Sequence, residues 1–118
     1  MNRTEEIELL EQLEQWNSKD EYSQCIQAIE AIPEQERGYL LTVKLSRAYS
    51  NLAVLGDHGV HGTDGEVDGD LIRHAIDLLE SVRTQGENDP YWNSRMGYSC
   101  LMAYLSLIHI SEPTRRRG

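Results

Sequence analysis

The densest set of potential ligands in the chain lies between Gly56 and Gly69, in the stretch GDHGVHGTDGEVDG. Asp57, His58, His61, Asp64, Glu66, Asp68 and the following Asp70 offer imidazole nitrogens and carboxylate oxygens, the donors that zinc and calcium take. Asp64-Gly-Glu66-Val-Asp68-Gly69 has the alternating oxygens and the glycine of a calcium loop. The last ligand of such a loop would fall on Ala75, where a bidentate glutamate is needed, and Ala75 belongs inside a helix. His58 and His61 can share a zinc ion, but no second pair of ligands at zinc-site spacing accompanies them. The stretch is expected to be a solvated loop, with a metal-responsive role for residues 56–70 as an alternative. No metal or cofactor is assigned to the chain.

Covalent chemistry finds no better footing. The serines fall within helices or caps, and neither Cys25 nor Cys100 has a histidine and an orienting group in reach along the sequence. Both cysteines sit at apolar helical positions and are expected as buried free thiols in a reducing compartment. His74 is expected on an exposed helix flank. The chain is read as a non-enzyme.

Composition narrows the partners. The 118 residues carry a net charge of −9, spread along the chain, which disfavours nucleic acid and anionic membrane surfaces. There is no Phe and there are only two Trp, so the aromatic share of a core must come largely from six Tyr. The first residues, MNRTEEIELLEQ, are acidic and amphipathic rather than basic then apolar, unlike a secretory leader. The longest apolar run, Leu101 to Ile110, is too short to span a bilayer. A cytoplasmic location is expected.

The elements that must position any site are helices. Thr4 to Asn17 reads as the first, with Thr4 as N-cap, Glu5 and Glu6 at the positive end of the dipole, and Leu9, Leu10, Leu13 and Trp16 as its stripe. Ser18-Lys-Asp-Glu21 has the capping-box form that opens a second helix, burying Tyr22, Cys25, Ile26, Ile29 and Ile32 and ending before Pro33. The central helix, Tyr39 to Leu55, repeats Leu41, Leu45, Ala48, Leu52 and Leu55 at spacings of four and three, with Tyr49 and Ala53 beside them. That face is broad enough for two neighbours. After the glycine-rich stretch, Asp70 is expected to cap a helix reaching about Thr84, with Leu71, Ile72, Ala75, Ile76, Leu79 and Val82 inward. A last helix starts near Asp89 or Pro90 and carries Trp92, Met96, Cys100 and Ala103.

The chain also matches itself. At an offset of 50, Asp20 falls on Asp70, Tyr22 on Ile72, Cys25 on Ala75, Ile26 on Ile76, Ile29 on Leu79 and Ile32 on Val82. At an offset of 51, Leu41 falls on Trp92, Leu45 on Met96 and Ser46 on Gly97. Two helix types alternating in register mark a helical-hairpin array. Leu45-Ser46 with Tyr49, and Met96-Gly97 after Trp92, resemble helix A of the tetratricopeptide repeat. Tyr22-x-x-Cys25-Ile26 and Ile72-x-x-Ala75-Ile76 resemble its helix B. The spacing departs from that family's period of roughly 34 residues because the glycine-rich loop intervenes. The first large apolar residue is displaced by one position and the closing proline is absent from its place.

The resemblance covers Met1 to Tyr104 and implies an all-α fold of about five helices, antiparallel hairpins stacked as a right-handed solenoid. It implies a bacterial protein–protein interaction scaffold whose A helices line a groove for a protein or peptide partner. Carried over by position, the groove takes Leu40, Val43, Lys44, Arg47, Ser50 and Asn51 from the central helix. From the last helix it takes Tyr91, Ser94, Arg95, Tyr98 and Met102. The core of that set is Lys44, Arg47, Asn51, Tyr91, Arg95 and Tyr98, cations for carboxylates and tyrosines for side chains. The plainer expectation for Lys44 and Arg47 is that they are solvated helix residues.

From Leu105 the repeat pattern stops. LSLIHISEPTR resembles the in-frame translation of a sequencing-library adapter, so residues 105–118 are read as a non-native tail. His109 and Arg115 to Arg117 are therefore set aside as ligands or as a nucleic-acid patch. The natural protein is expected to continue beyond Tyr104, with residues 1–104 an N-terminal part of it. The last helix is then expected to expose an apolar face at Trp92 or Met96, open to self-association. A purely structural or dimerising module is the second alternative for function.

Overall fold

The computed structural model describes residues 2–59 and 67–111. Among these residues the chain is all α: α1 (Arg3–Ser18), α2 (Tyr22–Glu30), α3 (Gly38–Leu55), α4 (Gly69–Glu80), the short α5 (Arg83–Gly86) and α6 (Pro90–Ser111). Single 3₁₀ turns occupy Glu34–Glu36 and Asp57–Gly59. No helix among the described residues is long and apolar enough to cross a membrane.

Local signals start and stop these helices, though not always the expected ones. The N-cap of α1 is Asn2 rather than Thr4. Its side chain accepts from the Glu5 N–H at 2.8 Å while the Glu5 carboxylate accepts from the Asn2 N–H at 2.9 Å, a reciprocal box. The box expected at Ser18–Glu21 does not form, because α1 runs through Ser18, whose hydroxyl donates back to the Gln15 carbonyl. Asp20 then turns the chain with φ of 59°, and no side chain of this turn caps α2. The missing acceptor comes from far along the sequence: Asp57 Oδ1 takes the Ser23 N–H at 3.0 Å. At α4 the cap is Asp68, which accepts from Asp70 and Leu71, two residues earlier than expected.

The packing centres on α3. It touches α1, α2, α4 and α6, and it buries Leu41, Val43, Leu45, Ser46, Arg47, Ala48, Ser50 and Ala53. One cluster joins Leu41, Leu45 and Ala48 to Leu13 of α1 and to Cys25, Ile26 and Ile29 of α2. A second joins Val43 to Leu79 of α4 and Trp92 of α6. Full burial of each large aliphatic side chain here contributes about 2 kcal/mol. Serine and alanine on α3 allow close approach, and the Ser46 hydroxyl donates to the Ala75 carbonyl of α4 at 2.7 Å.

Trp92 is not the exposed residue the sequence suggests. It is 2% exposed, its indole N–H donates to the Leu79 carbonyl at 3.0 Å, and the Arg83 guanidinium lies over its ring. Accommodating it breaks the expected helix to Thr84: α4 ends at Glu80, Val82 leaves helical geometry, and α5 brings Gly86 against the indole. Met96 is half-buried beside it. Among the described residues the large exposed apolar side chains of α6 are instead Tyr91, Leu101, Tyr104, Leu105 and Leu107. Cys25 is buried, and burial pushes its thiol up to about 11, but Cys100 is exposed, contrary to expectation. The segment from Leu105 continues α6 without a break to Ser111.

Two glycines should respond in opposite directions. A Cβ on Gly86 would lie 2.2 Å from the Trp92 ring, so Gly86→Ala is expected to lose about 2–3 kcal/mol in urea unfolding. Gly97 has nothing within 4 Å of such a Cβ, so Gly97→Ala should gain up to about 1 kcal/mol from helix propensity. Circular dichroism across a urea titration measures both.

Candidate functional site

The polar residues carried over from the repeat pattern meet on one surface, where α1, α3 and α6 come together. Helical spacing does this: Lys44, Arg47 and Asn51 follow one stripe of α3, and Tyr91, Arg95 and Tyr98 follow one stripe of α6. The Lys44 ammonium lies 5.3 Å from the centre of the Tyr91 ring. The Arg95 guanidinium donates to the Ser50 hydroxyl and to Asn51 Oδ1 at 3.2 Å, and sits 4.8 Å from the centre of the Tyr98 ring.

Two members of the cluster come from α1, which the sequence reading left out. Glu14 binds Arg47 through both oxygens, Nη2 to Oε2 at 2.9 Å and Nη1 to Oε1 at 3.1 Å, and takes Lys44 Nζ at 2.9 Å. Asn17 Oδ1 accepts from Asn51 Nδ2 at 3.1 Å. The available signal was Arg47 itself: a guanidinium between the core positions Ser46 and Ala48 needs a carboxylate from a neighbouring helix. Which of the many acidic residues would supply it was not written in the sequence.

These contacts correct the picture of solvated cations. Arg47 is 8% exposed, and Lys44 is half-buried. Val43 is a core residue against Leu79 and Trp92 rather than a groove-lining one, and Ser50 is buried beneath Arg95. Leu40, Tyr91 and Ser94 are exposed, while Met102 is half-buried.

The electrostatics are asymmetric. The Arg47 hydrogen bond is the largest influence on Glu14 and, with Lys44, outweighs partial burial, holding the carboxyl below its ordinary value. Burial acts to lower the pKa of Arg47, but Glu14 and Tyr91 raise it on balance. Arg95 has no carboxylate beside it among the described residues, and burial lowers its pKa. Lys44 and Arg47 therefore share the Glu14 carboxylate, and the Nε–H groups of both Arg47 and Arg95 are buried with no acceptor among the described residues. Such a surface can take one more anionic or strongly accepting group.

Three carboxylates at the described ends of the loop, Asp57, Asp68 and Asp70, have partners within the chain. Asp57 caps α2; burial acts to raise its pKa, but bonds from Ser23 and Tyr22 outweigh that and lower it. The His58 N–H donates to the Asp20 carbonyl at 2.7 Å, Asp68 caps α4, and Asp70 pairs with Arg73. His61, Asp64 and Glu66 lie outside the described residues. Among the described residues no three His, Cys, Asp or Glu side chains group as metal ligands. His74 is exposed and meets the Tyr49 ring edge-on at 4.4 Å.

No family model matches the chain, and no curated protein or solved structure is significantly similar to it.

The Glu14 triad makes a pH prediction with a definite sign. Because the folded-state pKa is depressed, the stabilisation is complete above the ordinary value near 4.5 and is lost as pH falls through the lower, folded-state value. Glu14→Gln is expected to cost about 1 kcal/mol at pH 7, a figure kept small because the Glu14 side chain is 52% exposed and screened. The gap between wild type and Glu14→Gln should narrow below pH 4.5 and close in stronger acid. Urea unfolding at stepped pH values reads it.

Proposed function

We propose that the chain is a tetratricopeptide-like interaction module. In this reading α1–α2 and α3–α4 are hairpins and α6 opens a third, stacked as a right-handed solenoid, with the α1/α3/α6 surface as the partner-binding face. The match of the chain to itself supports the hairpins. The binding role rests on one observation: Lys44, Arg47 and Arg95 converge, Glu14 is the one carboxylate paired with them among the described residues, and two buried guanidinium N–H groups lack acceptors there.

The same observation suggests the kind of partner. A carboxylate can bridge the guanidinium groups while Tyr91 and Tyr98 pack apolar or aromatic side chains beside it. A strongly acidic segment is disfavoured, because its further charges would meet the repulsive field of a chain of net charge −9 within the screening distance of roughly 8 Å. The fitting ligand is a peptide with one carboxylate set among uncharged residues.

Panning a displayed peptide library on the folded chain tests this. The expected binders carry a single Asp or Glu, or a free C-terminus, flanked by apolar residues. Lys44→Ala with Tyr91→Ala should weaken them about tenfold or more, with the urea midpoint nearly unchanged because neither side chain is fully buried. Binders indifferent to this pair, or no binders at all, would reduce the cluster to internal bracing of three helices.

A further inference from the structure

We infer that the outer face of α6, centred on Gly97, Cys100, Leu101 and Tyr104, is the seat of one more amphipathic helix, joined in cis on the C-terminal side of α6. The inference shares the hairpin reading above but does not depend on the peptide-binding face.

The internal correspondence identifies what is missing. On α3, the residues that meet α4 include Ser46, whose hydroxyl donates to the Ala75 carbonyl, and Tyr49, whose ring meets His74. They also include Ala53, which is fully buried and accepts from the Asp68 N–H at 3.0 Å. At the offset of 51, these three positions become Gly97, Cys100 and Tyr104. There, among the described residues, nothing covers the face. Gly97 has open space where a Cβ would project, Cys100 is exposed, Tyr104 is 61% exposed, and Leu101 between them is 52% exposed.

Left to itself, this face has the wrong chemistry for a solvent boundary. No Asp, Glu, Lys or Arg occurs from Met96 to Tyr104, in a chain where 26% of residues are charged. A helix exposed on one side normally places charge there. A glycine in mid-helix weakens the helix and is useful where another backbone must come close. Gly97 occupies the position where Ser46 lets α4 approach.

The existing hairpins describe the occupant. Cys25 of α2 and Ala75 of α4 correspond at the offset of 50, and each meets the preceding helix: Cys25 Sγ lies 3.6 Å from the Leu13 carbonyl, and Ala75 accepts from Ser46. Each small residue is flanked by large apolar ones, Tyr22, Ile26 and Ile29 in α2, and Ile72, Ile76 and Leu79 in α4. The third helix of this type carries an alanine or cysteine over Gly97 with large apolar residues on either side. Because α2 follows α1 and α4 follows α3, it follows α6.

A graft tests the seat directly. Leu55, the last residue of α3, falls on Ser106 at the same offset, so a second copy of Gly56–Val82 is fused after Ser106 in place of the remaining tail. Cys100 is the reporter, read by its maleimide alkylation rate, and buried Cys25 is the internal check on folding. In the graft, Cys100 alkylation should slow at least about tenfold relative to the parent chain, and Gly97→Leu should restore the parent rate. If the first graft exposes Cys25, a second graft carrying residues 18–32 repeats the measurement. Cys100 reacting as fast in a folded graft as in the parent overturns the inference. So does concentration-dependent protection of Cys100 in the parent, which would put a second copy of the chain on the face. Peptide binding at Lys44 and Tyr91 is scored separately, so neither reading falls with the other.

Discussion

A helix that buries Leu45 toward one side, Val43 toward another and Arg47 toward a third must have neighbours on all three. That constraint on α3 organises the rest of the molecule. Helices α1 and α2 close over the leucine side, α4 and α6 over the valine side, and the small residues Ser46, Ala48 and Ala53 set how near they come. The backbone carbonyl of Ala75 accepts a side-chain hydrogen bond from inside the contact, which is possible only when two helices lie close together.

The buried cation is the second constraint. Taking a guanidinium out of water costs several kcal/mol unless a carboxylate and further acceptors compensate. Glu14 supplies the carboxylate, so α1 is held to α3 by a polar contact as well as by Leu13; Leu9 and Leu10 are only half-buried. Arg95 makes a different accommodation, with neutral oxygens from Ser50 and Asn51 and the face of Tyr98. A chain that is acidic overall thereby has a local excess of positive charge on one surface. Screening confines both effects to short range: a group seated within a few ångströms feels the cluster, while the field of the net charge fades beyond roughly 8 Å.

The glycine-rich stretch acquires a physical role at both of its described ends. Asp57 completes the N-terminus of α2 and Asp68 that of α4, the two helices that correspond in the internal match. Asp57 and Asp68, two of the carboxylates that resemble ion ligands in the sequence, are here acceptors for orphan backbone N–H groups. The His58 N–H to Asp20 and the Asp68 N–H to Ala53 tie the same ends to the turn before α2 and to the end of α3.

Periodicity and breakers alone determined the helical class, five of the six described helices and most of the core, because apolar spacing and Gly or Pro punctuation act over a few residues. Leu13, Ile29, Leu41, Leu45, Ile72 and Leu79 are buried where their spacing put them. The stripes that unite Lys44 with Arg47, and Tyr91 with Arg95, were also legible, since each lies within one helix. Tertiary structure decided the rest. It chose Glu14 among many glutamates for Arg47, supplied Asp57 as a cap from 34 residues away, and sank Trp92 against Gly86, splitting α5 from α4. Each of these depends on where a second helix lies, and a one-dimensional pattern carries no such distance.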